Sequence, residues 1–330
     1  MTRVACIDIG TVTVRLALSS IKNASVCLDT KISTICNLGE GVDKNSYLSP
    51  TACRRVIDCI AGYMDKIKNA HIESVCCTMT SAARDAANSF TLVDALRKFG
   101  LEPQVIPGEV EGKLTLLGVA QDFFDQPILV VDNGGGSTEF ACGVLETSGL
   151  LVHFIRSINV GCRRLSERYL SHADPPLPED LACVHSFAAE QISTVMDDIA
   201  GLPGNFGHFN HLVVCGGTAT TLVAIDKRLT PYNSAQVHLQ RLSANKVREL
   251  EGKLASLTLS ERALLPGLQA KRAPVIVAGA AILVELMRQA GCDEMVVSES
   301  DLLVGLSLVC DATISGQISP IGWTPIIVSL

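Results

Sequence analysis

One pattern constrains this chain more than any other, because it occurs twice. An apolar strand ends in aspartate, followed by one residue, a glycine, and a hydroxyl-rich turn into a second strand. It reads Ile7-Asp8-Ile9-Gly10-Thr11-Val12-Thr13 near the start and Val131-Asp132-Asn133-Gly134-Gly135-Gly136-Ser137 in the middle. A unit repeated at this distance predicts duplicated lobes rather than one large sheet. Length agrees, since 330 residues exceed what a single core sustains. With 48% of residues apolar, each lobe has enough to fill its own core.

Strand-like and helix-like runs alternate around the repeat, the pattern of an α/β protein. Val4 to Ser19 is β-rich with a break at Gly10-Thr11. Thr51 to Ile67 predicts a helix with Cys53, Val56, Ile57, Ile60 and Met64 on one face. A short strand over Ile72 to Thr78, a helix over Leu92 to Phe99 and a short strand over Gln104 to Ile106 follow. A further helix begins at Pro107-Gly108. The second copy starts with a buried strand over Pro127 to Asp132 and a partner strand over Glu139 to Leu145. The Pro-rich Asp174 to Pro178 is expected as a loop inside the second lobe. The lobe boundary is expected at residues 121–127. The first lobe would then cover 1–124, with segment 304–330 packing back onto it, and the second would cover 125–303.

The glycine turns carry the chemistry. Glycine permits positive φ and removes the Cβ, so backbone N–H groups can converge on a phosphate oxygen. Gly10 with Thr11 and Thr13, and Gly134, Gly135 and Gly136 with Ser137 and Thr138, are candidate phosphate-binding groups, their hydroxyls counted as extra donors. Asp8 and Asp132 end their strands where a carboxylate can hold a hydrated Mg²⁺ or orient water. A third turn, Cys215-Gly216-Gly217-Thr218, follows a buried strand and opens a helix, whose N–H groups and dipole favour phosphate. The chain lacks the Gly-Lys-[Ser/Thr] of a Walker loop and the Gly-x-Gly-x-x-Gly of dinucleotide folds.

Three such turns resemble the superfamily of acetate and sugar kinases, heat-shock chaperones and actin. Within it the chain resembles the exopolyphosphatase and guanosine pentaphosphate phosphohydrolase family, in its short two-domain form. The resemblance is carried by Asp8 to Leu16, Thr80-Ser-Ala-Ala-Arg84-Asp-Ala-Ala-Asn88 and Ile106-Pro-Gly-Glu109-Val-Glu111. It continues through Asp132 to Glu139, Val160-Gly161-Cys-Arg-Arg164, Gly217-Thr-Ala-Thr-Thr221 and Val237-His238. It implies two ribonuclease-H-like lobes of the actin-like ATPase type with a phosphate-binding cleft between them. It further implies release of terminal phosphate from polyphosphate or guanosine pentaphosphate, with Glu111 as catalytic base. Asp132 and Glu139 would hold Mg²⁺ or another divalent cation, with Asp8 assisting, and Arg84 and Arg164 would hold phosphates. Dimerisation follows from the resemblance alone. Glu111 falls in the first turn of a predicted helix, where the dipole favours an ionised carboxylate able to take a proton from water.

The chain departs from that pattern at several points. Thr11-Val12-Thr13 replaces the usual Ser-Asn-[Ser/Thr], Asn133 a usual apolar residue, and Gly112 a common alanine. Pro274 stands for a frequent aspartate, and Val304 precedes Gly305 where an arginine is common. These departures leave two other readings open, a small-molecule kinase of the same superfamily and a catalytically weak sensor of polyphosphate or alarmone nucleotides.

Composition narrows the partners. A net charge of −7 argues against DNA or RNA binding, which needs a basic face. The longest apolar stretch, Val275 to Leu286, is too short to span a bilayer and contains Glu285. Thirteen cysteines are an odd count with no Cys-x-x-Cys, and most lie in apolar runs, so buried free thiols are expected. With no signal-peptide pattern at the start, a cytoplasmic location is expected. His208 and His211 lack a nearby third ligand, so no zinc site is expected.

Overall fold

Each copy of the Asp-x-Gly pattern opens its own sheet. The computed structural model describes residues 1–204 and 207–330. It divides into two compact units, Met1–Gly118 together with Leu302–Leu330, and Val119–Asp301.

In the first unit, β1 (Thr2–Ile9), β2 (Thr13–Lys22) and β3 (Ser25–Ile35) form an antiparallel meander. Helices α1 (Val42–Asn45) and α2 (Pro50–Asn69) lead to β4 (Ser74–Met79), which pairs parallel with β1. Then come α3 (Ser81–Asp85), α4 (Ser89–Arg97), β5 (Gln104–Val105) parallel to β4, and α5 (Gly108–Ala120), which crosses the unit boundary.

The second unit repeats this order. β6 (Ile128–Asn133), β7 (Thr138–Glu146) and β8 (Gly149–Ile158) form the meander. After α6 (Cys162–Tyr169) and α7 (Pro178–Ala200), β9 (His211–Cys215) pairs parallel with β6. Helix α8 (Gly217–Asp226), strand β10 (Gln240–Ser243) and helices α9 (Ala244–Ser256), α10 (Leu259–Arg262) and α11 (Ile276–Gln289) precede β11 (Glu294–Val297). β11 is parallel to β9, with β10 antiparallel at the edge. The chain then returns to the first unit, where α12 (Leu302–Ile314) leads to β12 (Ile327–Ser329), antiparallel to β4. A meander followed by parallel strands on its first strand is the ribonuclease-H-like order, and both units have it.

The local sequence explains these elements. From Val4 to Ile9, β1 is buried on both faces, as a central strand must be, and its residues are β-branched or small. Ser49 caps α2 by accepting from the Ala52 N–H, and Pro50 fills the first helical position, where no N–H is needed. Val56, Ile60, Met64 and Ile67 then bury one face of α2 on the sheet. Each such side chain contributes about 1.5–3 kcal/mol. Pro178 ends the Pro-rich loop and starts α7 by the same logic. Among the described residues no helix is long and apolar enough to cross a membrane.

Candidate functional site

The two Asp-x-Gly turns close with the same bond. Gly10 N–H donates to Thr13 O at 2.9 Å, and Gly134 N–H donates to Ser137 O at 3.0 Å. A Cβ on Gly10 would lie 3.1 Å from Thr13 O, and one on Gly134 would lie 2.9 Å from Ser137 O. The tightness of the turn, more than φ, is what demands glycine here.

Charge separates the copies. In the first unit Asp8 pairs across the sheet with Arg15; in the second, Asp132 pairs with Glu139 at the equivalent position. Cross-strand partners share a face at about 5 Å. Arg15 Nε and Nη2 donate to Asp8 Oδ2 at 3.0 and 2.7 Å, and the Thr78 hydroxyl lies 3.3 Å from Oδ1. Asp8 thus has its counter-charge inside the fold, which leaves it poorly placed as a metal ligand. The Asp132–Glu139 pair sets two buried carboxylates opposite each other, with oxygen donors of the type a hard cation takes.

The second turn is braced from outside. Cys162 N–H donates to Gly134 O, Arg163 and Arg164 N–H donate to Gly135 O, and Arg164 Nε donates to Gly136 O at 2.7 Å. Gly161 allows this approach, since a Cβ there would fall 2.4 Å from Gly135 O. Arg164, expected on phosphate, has its Nε committed to holding the turn. The Ser137 and Thr138 hydroxyls also differ from expectation as spare donors. Ser137 donates to Glu139 Oε1 at 2.7 Å and Thr138 to Val160 O at 2.5 Å, so their single protons are spent within the fold. Ser157 also donates to Glu139 Oε1 at 2.7 Å.

Two buried polar side chains at these turns are unsatisfied. Neither amide atom of Asn133 has a hydrogen-bond partner among the described residues, nor does Thr11 Oγ1. Such groups are costly unless a ligand or water completes them. Thr13 begins β2 and shapes the turn through its carbonyl.

At the third turn Gly216 adopts φ +96°, and a Cβ there would meet Asn133 O at 2.7 Å and Asp132 Oδ1 at 2.8 Å. The second and third turns therefore abut within one unit. The Thr218 side chain faces inward against Gly279, leaving its N–H at the α8 terminus. Sequence reasoning missed Arg272, a buried arginine whose Nη1 would sit 2.0 Å from a Cβ on Gly217. No motif flagged it, because it arrives from a 3-10 turn far along the chain.

In the first unit, Glu111 is buried in the first turn of α5. Arg84 Nη1 donates to Glu111 Oε2 at 2.7 Å and to Ile106 O at 2.9 Å. The helix carrying Glu111 is held by α12, where Gly305 approaches so closely that a Cβ would lie 1.9 Å from Leu114 O. Among the described residues no group of three His, Cys, Asp or Glu is arranged to hold a metal ion. His211 Nε2 instead lies 3.1 Å from Gln126 Oε1.

Two ribonuclease-H-like units with matched glycine turns, and buried carboxylates beside them, define a phosphate-handling α/β enzyme. Comparison with known proteins narrows the class. The sequence model of the Ppx/GppA phosphatase family matches residues 19–307. Exopolyphosphatase 2 of Mycobacterium tuberculosis (strain ATCC 25618 / H37Rv) is 32% identical over 327 residues, covering 93% of this chain and 98% of that protein. The crystal structure of the Aquifex aeolicus Ppx/GppA family member has a TM-score of 0.76 at 28% identity, covering 95% and 98%. An exopolyphosphatase from Cytophaga hutchinsonii ATCC 33406, at 24% identity, shares the fold with a TM-score of 0.82 over 96% and 99%. The chain belongs to the Ppx/GppA phosphatase family, and it is a hydrolase acting on phosphoanhydride bonds.

Proposed function

We propose that the chain releases terminal phosphate from inorganic polyphosphate or guanosine pentaphosphate, with Glu111 as general base. The observation that carries this reading is the Glu111–Arg84 pair at the start of α5. A buried carboxylate held by an arginine at a helix N-terminus is fixed in orientation, and both neighbours favour its charged form. Glu111 takes the proton as water attacks the terminal phosphorus, and the glycine turns position the phosphates through backbone N–H groups.

Asp132 and Glu139 would hold a divalent cation such as Mg²⁺. Their carboxylate oxygens suit a hard cation, and so few protein ligands match an ion that keeps water and substrate oxygens. When bound, the cation neutralises charge on the phosphoryl oxygens. Asn133, with both amide atoms unpartnered beside Asp132, is available to a phosphate oxygen or to its water.

A cavity of about 500 Å³ in the second unit has room for the base that a nucleotide carries and the inorganic chain lacks. Arg228, Tyr232, Asn233 and Gln236 line it, and the Tyr232 hydroxyl donates to Glu299 Oε1. An aromatic ring and amides suit a purine. The test is phosphate release from long-chain polyphosphate, guanosine pentaphosphate and ATP side by side, with Glu111→Gln as control. Release from the first two that Glu111→Gln removes supports the reading. Transfer from ATP to an acceptor would favour the kinase, and binding without release would favour the sensor.

A further inference from the structure

Apart from the phosphate turns, the first unit holds a pair of cysteines that the chemistry above does not use. Cys36 is buried just after β3, and Cys59 is half-buried on α2. Cys36, Thr34 and Tyr63 cluster around the Cys59 sulfur. The Tyr63 hydroxyl lies 3.0 Å from Val14 O and 2.8 Å from Thr34 Oγ1, which fixes both side chains of this cluster in place. Cys36 Sγ lies 3.7 Å from Arg55 O, one turn before Cys59 on the same helix.

We propose that Cys59 and Cys36 form an oxidisable pair, with Cys59 the nucleophile toward a hydroperoxide and Cys36 the thiol that resolves it to a disulfide. The Cys59 thiolate attacks one peroxide oxygen. The S–O bond forms as the O–O bond breaks, leaving a sulfenic acid on Cys59 and releasing the other oxygen as hydroxide or alkoxide. The Cys36 sulfur then attacks the Cys59 sulfur, an S–S bond forms, and water leaves with the Cys36 proton. Sulfur is oxidised by two electrons overall and the peroxide is reduced. The hydrogen bond from Cys36, followed by those from Thr34 and Tyr63, lowers the Cys59 thiol to about 6, although burial opposes it. A lowered thiol favours the thiolate that peroxide attack requires.

The location gives the modification a consequence. Residues 36–40 form a strap over the first glycine turn. Cys36 and Asn37 N–H both donate to Val12 O, Gly39 N–H donates to Thr11 O, and a Cβ on Gly39 would fall 2.2 Å from Thr11 Cγ2. Arg55 on α2 grips the strap through Cys36 O, Asn37 O and Glu40. A disulfide there ties the strap covalently to α2 and alters how Thr11 and Val12 are held. Slower phosphate release on oxidation follows, and this consequence, unlike the disulfide itself, rests on the phosphatase reading.

The test uses the full chain. At pH 7, iodoacetamide should label Cys59 about tenfold faster than the exposed Cys27 and Cys183, followed by peptide mass spectrometry. Stoichiometric hydrogen peroxide should give a Cys36–Cys59 disulfide that a thiol reductant reverses. Cys36→Ser should trap the sulfenic acid for a diketone probe, while Cys59→Ser should give neither product; circular dichroism checks that both variants are folded. Labelling of Cys59 no faster than Cys27 and Cys183, or a peroxide product lacking the Cys36–Cys59 link in the wild type, would overturn the pair. Because both readouts are masses, they stand even if phosphate release is never found.

Discussion

Arg84 donates through Nη1 to Glu111 Oε2 at 2.7 Å, and the same nitrogen holds Ile106 O at 2.9 Å. Arg84 thereby ties α3 to the loop before α5 and fixes where the carboxylate points. Glu111→Gln keeps the shape and an oxygen for Arg84 but loses the charge that the proposed base role needs. Its kcat should fall by about 10²–10⁴-fold, the range for one general base. Substrate binding by calorimetry should stay within a few-fold of wild type. Surviving turnover would remove Glu111 from the base role.

Gly161 lies outside the Asp-x-Gly pattern, yet its missing Cβ lets residues 162–164 grip the second turn. In Gly161→Ala the new methyl would meet Gly135 O at 2.4 Å and Gly136 C at 2.5 Å, and backbone cannot yield cheaply. The variant should lose about 1–3 kcal/mol of stability and raise KM for the phosphate substrate more than it lowers kcat. Gly62→Ala on α2 is the matched control, because nothing lies within 4 Å of its Cβ position. Alanine there should stabilise the protein by about 0.5–1 kcal/mol in a denaturant titration.

These two glycines mark what the sequence could and could not reveal. The paired turns, their strands and α2 were legible, because alternation, apolar periodicity and a local glycine carry them. The expected helix over Thr51 to Ile67 lies within α2, and the β-rich run broken at Gly10-Thr11 became β1 and β2. The long α7 and the edge strand β3 gave weaker signals: α7 starts on a proline, and β3 alternates with charged and polar residues. What each side chain bonds to was illegible. The Asp8–Arg15 pair, the inward turn of Ser137 and Thr138, and Arg272 at Gly217 all depend on register or on contacts between distant segments.

The difference between the Asp8–Arg15 and Asp132–Glu139 pairs predicts where metal dependence resides. Chelation by EDTA should abolish phosphate release, and added Mg²⁺ should restore it. Asp132→Asn removes one of the two opposed carboxylates, so the Mg²⁺ concentration for half-maximal activity should rise at least about tenfold, the effect of losing roughly 1.4 kcal/mol of binding. Asp8→Asn should leave that concentration nearly unchanged and act through stability, because Asp8 already has Arg15 as its counter-charge. A larger Mg²⁺ shift in Asp8→Asn than in Asp132→Asn would reverse this assignment.

His185 predicts a pH dependence separate from catalysis. It sits on α7 with Nε2 at 2.7 Å from Glu251 Oε1 on α9 and Nδ1 at 2.9 Å from Glu285 Oε1 on α11. Glu285 also accepts from Arg288 Nε at 2.7 Å. The hydrogen bond to Glu251 is the main cause that raises the imidazole above its ordinary value, with Glu285 adding to it and burial opposing. A group raised in the folded state stabilises fully below its unfolded value, about 6.5, and loses that contribution as pH climbs through the folded value. The wild type should therefore lose thermal stability between pH 6 and pH 8.5 through this triad. His185→Gln should lower Tm at pH 6 by about 2–4 °C for each kcal/mol lost and should flatten the slope above it. If His185→Gln keeps the wild-type slope, the triad does not set the pH response of the second unit.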